Sequence, residues 1–166
     1  MPCHGEAPPL LGEHRLGSLR QETVGSWGRR TITGVTLQRD PPLSDSELNA
    51  LFEASWPGHQ DRAFGPILRR SLVYVAALAG ERLVGFVNVA WDGGVHGFVL
   101  DTTVHPDFRR QGIGLSLLRA AARAAAEYEL EWLHVDFVPE VAPLYRKAGY
   151  RNTEAGLLEL GGRTDS

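Results

Sequence analysis

The stretch Asp101-Thr-Thr-Val-His-Pro-Asp-Phe-Arg-Arg-Gln-Gly-Ile-Gly114 constrains this chain more than any other. It closes a strand-like run over 95–104, which Pro106 ends, and opens an alanine-rich run over 112–128. In that second run Ile113, Leu117, Ala121, Ala124 and Tyr128 form one apolar stripe at helical spacing. The first N–H groups of a helix have no intrahelical acceptor, and the helix dipole is positive there. Gly112 and Gly114 let a pyrophosphate approach the backbone, and Arg109 and Arg110 add charge, so the turn reads as an anion cradle. A dinucleotide fingerprint would need a third glycine where Leu117 stands, and a parallel βαβ unit around it. A Walker A loop needs Gly-Lys-Ser or Gly-Lys-Thr, and the chain has neither.

What precedes the cradle is hairpin-like. Residues 72–78, 83–91 and 95–104 read as three consecutive strands, with Ala79-Gly-Glu-Arg82 and Asp92-Gly-Gly94 as the turns. Upstream, 31–38 reads as a strand with Val35 and Leu37 on one face, stopped by Pro41-Pro42. Ser44 followed by Glu47 is a capping box, and Leu48, Leu51 and Phe52 continue it as a helix to about Ser55. A second helix over 61–70 is interrupted by Gly65-Pro66. Downstream, 132–138 reads as a strand, 143–148 as a short helix closed by Gly149, and 157–160 as a final strand. The predicted order is β-α-α-β-β-β-α-β-α-β.

The 166 residues suit one domain. Residues 1–30 hold three prolines and five glycines with no sustained period, and read as a flexible N-terminal arm ahead of a domain over 31–166. Leu10, Leu11, Leu16, Leu19, Val24 and Trp27 leave a second reading open, in which the arm packs on the body or on a partner subunit. A net charge of −3 argues against a dedicated nucleic-acid binder. No run approaches the ~18 apolar residues of a membrane span, and the first thirty residues lack an apolar signal core. The single cysteine, Cys3, cannot form an internal disulfide, and no Cys/His cluster has zinc spacing, so no metal is expected. Together these imply a cytoplasmic protein without nucleic-acid or membrane partners.

Val104-His-Pro-Asp-Phe-Arg-Arg-Gln-Gly-Ile-Gly114 resembles the acetyl-CoA pyrophosphate loop of the GCN5-related N-acetyltransferases (GNAT), whose pattern is Arg/Gln-x-x-Gly-x-Gly/Ala. Leu144-Tyr-Arg-Lys-Ala-Gly-Tyr150 resembles that family's second signature, and the element order from Thr31 to Leu160 agrees. The resemblance implies an α/β (α+β) fold: a mixed, mostly antiparallel sheet, flanked by helices, whose fourth and fifth strands splay apart. Acetyl-CoA would lie in that cleft, its pantetheine arm along Thr102, Thr103 and Val104 and its pyrophosphate on Arg109, Arg110, Gln111, Gly112, Ile113 and Gly114. The implied function is transfer of acetyl to an amine of a small molecule or protein, by direct attack in a ternary complex. The alternative is a degenerate member that binds CoA as a sensor or interaction module. A homodimer is a further implied partner.

Acetyl transfer to an amine needs a base, an oxyanion donor and a proton for the leaving thiolate. The resemblance implies a backbone N–H near Val104 as the donor and Tyr145 as the acid, itself in contact with the coenzyme. A phenol (about 10) protonating a thiolate (about 8.5 for cysteine) is slightly uphill, so hydrogen bonding can matter as much as full transfer. Asp101, on the face opposite Val104, is the base candidate; Asp136 and His134 on one face of the fifth strand, and His105, compete with it. Water chains serve instead of a single base in some relatives. Many relatives carry an asparagine shortly after the fifth strand; here that place is Val138, followed by Pro139-Glu-Val-Ala-Pro143. By analogy Trp56, His59 and Asp61 would wall one side of the acceptor site and Glu140 another.

Overall fold

The computed structural model describes residues 34–158. The expected arm over 1–30 lies outside them. Five strands, β1 (Val35–Arg39), β2 (Val73–Ala79), β3 (Arg82–Trp91), β4 (His96–Val104) and β5 (Trp132–His134), form one sheet in chain order. The first four pair antiparallel and β5 runs parallel to β4, which is the mixed, mostly antiparallel sheet expected.

Helices cover both faces. α1 (Asp45–Ser55) starts with the capping box: the Ser44 hydroxyl accepts from Glu47 N–H, and Glu47 accepts from Ser44 N–H. Its Leu48, Leu51 and Phe52 pack with Phe64, Ala76, Leu83 and Phe86 on one sheet face. α3 (Ile113–Ala126) buries Ile113, Leu117, Leu118, Ala121 and Ala124 against Val75, Val87, Val89 and Val99 on the other. Each fully buried leucine or isoleucine there stabilises the fold by roughly 1.5–3 kcal/mol. α4 (Ala142–Ala148) packs beside α3 and ends at Gly149, whose φ of 104° is the left-handed cap expected.

Four expectations are corrected. The helix over 61–70 shrinks to α2 (Gly65–Leu68), because Pro66 can only begin a helix. The first strand begins at Val35, with 31–33 outside the described residues. Leu157 and Leu158 are exposed and form no strand; residues 159–160 lie outside the described part.

The fourth correction places the site. The strand expected over 132–138 stops at His134, where the ladder His96–Trp132, Gly97–Leu133, Phe98–His134 ends. Val135 and Phe137 still turn inward, so the period-two pattern persists without a hydrogen-bonded neighbour. Two features of β4 flank the place where it parts from β5. Gly97 pinches them at one end: a Cβ there would stand 2.5 Å from Leu130 Cδ2 and 2.8 Å from Leu133 Cδ2. Further along, the register passes from Asn88–Leu100 to Phe86–Thr103, so three steps on β4 oppose two on β3. That is a β-bulge, and Asp101 occupies it at φ 56°. From Val99 to Val104 the outer edge of β4 has no strand partner among the described residues.

Candidate active site

The cradle stands at the end of that open edge. His105 N–H bonds to Val84 O in β3, so the trans peptide turns Val104 C=O the other way, and the N–H of extended Val104 follows it into the cleft. Pro106–Phe108 makes one 3-10 turn, and Gly112 caps α3 at φ 84° with no side chain over the helix start. The N–H groups of the first turn therefore remain available. A Cβ at Gly112 would meet nothing within 4 Å, so this glycine serves backbone shape and leaves open space above it. Gly114 faces α4 and β4: a Cβ there would stand 3.4 Å from Leu144 Cδ2 and 3.7 Å from Val104 Cγ2, ordinary contact distances. Open space beside free N–H groups fits a pyrophosphate.

The two arginines divide their work. Arg109 Nε donates to Val104 O at 3.1 Å and its Nη2 to Ser55 O at 3.2 Å, which braces the loop against β4 and the end of α1. Arg110 is exposed, in the left-handed region at φ 61°. Gln111 Nε2 donates to Asp107 O at 3.4 Å, closing the turn. Thr102 Oγ1 is buried without a hydrogen-bond partner, and Thr103 is buried on the α1 side.

Tyr145 lies in α4 and is 7% exposed. Its ring stacks on Phe137 at 4.6 Å and meets Tyr150 edge-on at 5.7 Å. Leu144, its neighbour, touches the first turn of α3, so the second signature and the cradle are joined in space. Burial, with Tyr145 adding to it, pushes the Tyr150 phenol up to about 12, and its hydroxyl has no hydrogen-bond partner.

On the α1 side of β4, Phe52, Trp56, His59, Asp61, Arg62 and Asp101 are among the residues lining an open groove of about 540 Å³. Trp56, His59 and Asp61 line this groove and Glu140 does not. Burial raises the Asp101 carboxyl above its ordinary range, and Arg62, 3.5 Å away, acts against that rise. The rival bases are elsewhere. His134 lies 2.8 Å from His96 and stacks on Phe98 at the paired end of the sheet. Asp136 falls beyond the strand it was expected to share with His134. His105 Nε2 accepts from Arg82 at 2.8 Å.

Sequence reasoning missed Arg62 and Asn49. Asn49 Nδ2 donates to Arg62 O at 2.9 Å, and its Oδ1 accepts from Arg62 N–H at 3.0 Å and lies 2.9 Å from His59 Nε2. An asparagine in a helix and an arginine in a polar loop carry no motif that would single them out.

A sequence model described as "Acetyltransferase (GNAT) domain" matches residues 69–152, half of the chain. The chain belongs to the GNAT acetyltransferase family. The uncharacterised N-acetyltransferase ycf52 of Porphyra purpurea is 30% identical over 72 residues, 43% of this chain and 41% of that protein. The chain therefore spans about two fifths of the length of such curated relatives. Among solved structures, a candidate acetyltransferase of Deinococcus radiodurans R1 superposes with TM-score 0.68 at 24% identity, covering 80% of this chain and 92% of that one. A GNAT family protein of Streptococcus pneumoniae TIGR4 gives 0.64 at 24%, covering 76% and 99%. AAC(6')-Iy, bound to the bisubstrate analogue CoA-S-monomethyl-acetylneamine, gives 0.63 at 19%, covering 78% and 99%. At these identities the structures establish the GNAT fold. Among the described residues no helix is long and apolar enough to cross a membrane, and no cluster of three metal-ligating side chains occurs.

Proposed function

We propose that this GNAT protein transfers acetyl from acetyl-CoA to a primary amine by direct attack within a ternary complex. The observation that carries the reading is the cradle itself. The uncapped first turn of α3, behind a left-handed Gly112, stands at the end of a β4 edge that β5 has left. The structure of AAC(6')-Iy with a CoA bisubstrate analogue supports it by analogy of fold.

When bound, acetyl-CoA supplies an acetyl group activated as a thioester. The chain's part is to place and protonate. N–H groups of Gln111, Gly112, Ile113 and Gly114 bind the pyrophosphate, and Arg110 adds charge from solvent. Arg109 holds the loop in shape through Val104 O and Ser55 O. The outer edge of Thr102, Thr103 and Val104 aligns the pantetheine arm, and Val104 N–H offers a donor where negative charge develops. Asp101, at the groove, takes the amine proton, and its raised affinity for protons brings it closer to a useful base. Tyr145 holds a proton for the sulfur side. The amine nitrogen bonds to the acetyl carbon as the carbon–sulfur bond breaks, one proton leaving to Asp101 and one arriving from Tyr145.

The test is to mix purified protein with acetyl-CoA and a panel of amines and follow free thiol. Amine-dependent thiol release with an acetylated product is expected. Tight acetyl-CoA binding without release from any amine would replace this reading with that of a CoA-binding module.

A further inference from the structure

The acceptor groove places opposite charges side by side. Asp61, Asp101 and Arg62 are its charged lining residues. Arg62 Nη2 stands 3.5 Å from Asp101 Oδ1, a loose contact, with the two side chains 45% and 23% exposed. Arg62 is nonetheless held firmly. Its backbone is gripped on both sides by the Asn49 carboxamide. Its guanidinium lies over the Phe64 ring at 4.7 Å and the Phe52 ring at 5.5 Å. Stacking uses the flat faces of a guanidinium and leaves its N–H edge free. Among the described residues that edge meets no acceptor but Asp101, and there through one nitrogen. A planar fork backed by two rings, with one protein acceptor and an edge open to the groove, is the fitting partner for a carboxylate.

We propose that Arg62 determines acceptor specificity, and that the acceptor is a small amine bearing a carboxylate one or two carbons from the nitrogen, an amino acid in chemical class. The inference rests on the acetyl-transfer reading above and names its substrate. The amine faces Asp101 and the carboxylate takes the free edge of Arg62. Because the two protein groups nearly touch, the two groups of the acceptor must be close as well. A polycationic amine fits worse, since Arg62 stands beside the carboxylate that its nitrogens would seek. A simple alkylamine leaves Arg62 unanswered and forfeits a charge-assisted pair. In the reaction the acceptor loses one proton and gains one acetyl group, and coenzyme A leaves as the thiol.

The experiment measures kcat/KM with acetyl-CoA for a set of α- and β-amino acids, their primary amides, the corresponding decarboxylated amines, and spermidine. The wild-type protein should prefer at least one amino acid over its own amide by tenfold or more. Arg62→Gln should bring that ratio to within about twofold, and Arg62→Lys should restore part of it, because a point charge replaces a fork. Equal use of acid and amide, or a preference for spermidine, overturns the proposal; the wild-type ratios decide this even if a variant fails to fold. Calorimetric binding of the same acid–amide pairs, with CoA present, separates this proposal from the reading it rests on. Selective binding of the acid without thiol release leaves the proposal standing and removes catalysis. Absence of acid-selective binding together with absence of acid-selective turnover removes the proposal.

Discussion

The indole N–H of Trp56 donates to the Thr103 hydroxyl at 2.9 Å, and that hydroxyl donates in turn to Asp101 O at 3.0 Å. The C-terminal cap of α1 is thereby tied, through one threonine, to the bulge that holds the candidate base. Thr103→Val keeps the shape and removes both bonds. Thr103 is 2% exposed while Trp56 can still reach water, so a loss of about 1 kcal/mol is expected in urea unfolding. Wild-type stability in this variant would show that the relay holds nothing.

Gly112→Val should weaken acetyl-CoA binding at least tenfold, about 1.4 kcal/mol. The reason is a valine forced to φ 84° with its branch in the space above the first turn of α3, since no protein atom lies within 4 Å of the added Cβ. Gly93→Val is the control, because Gly93 has φ 86° and equally open space but lies in the hairpin turn after β3. Calorimetry on folded proteins should show loss of binding at Gly112 alone; equal affinity in both variants would remove the cradle from the site.

Tyr145→Phe keeps the stack on Phe137 and removes only the hydroxyl. Turnover should fall with little change in acetyl-CoA affinity, because the contact strengthens in the transition state. Tyr150→Phe is the contrasting change. Its hydroxyl is buried with no partner, so removal should leave stability unchanged or raise it by up to about 1 kcal/mol. The Tyr150 phenol is raised from 10.0 to about 12, so wild-type stability should decline as pH climbs through that window, and the phenylalanine variant should decline less. Ultraviolet titration of tyrosinate together with unfolding at each pH checks the pair.

Asp101→Asn preserves size and removes the base. A loss of roughly 10²-fold in turnover is expected, with disappearance of any ascending limb that Asp101 controls. Stability has the opposite sign. Burial raises this carboxyl in the folded state, so its favourable contribution is complete below the unfolded value and fades as pH rises through the folded one. At neutral pH the asparagine variant should therefore be no less stable than the wild type, and its relative advantage should shrink in acid. A limb that follows the acceptor's own pKa across a series of amines would mean that no protein base is used.

Local chemistry was legible in the sequence, because it is written in neighbouring residues. The capping box at Ser44, the hairpin turns, the stripe of α3 and the capping Gly149 each depend on a few adjacent positions. The pairing of the two signatures into one GNAT pattern was legible for the same reason. Tertiary structure decided the rest. The fifth strand ended early because a ladder needs a neighbour, and its pairing with β4 stops at Phe98–His134, before the bulge at Asp101. Asp101 was an ordinary strand residue by alternation; only the register against β3 revealed its φ of 56°. Arg62 reached Asp101 from 39 residues away, and Asn49 fixed Arg62 from 13 away. No local pattern encodes contacts at such separations, because folding sets them by which side chains the packed sheet and helices bring together.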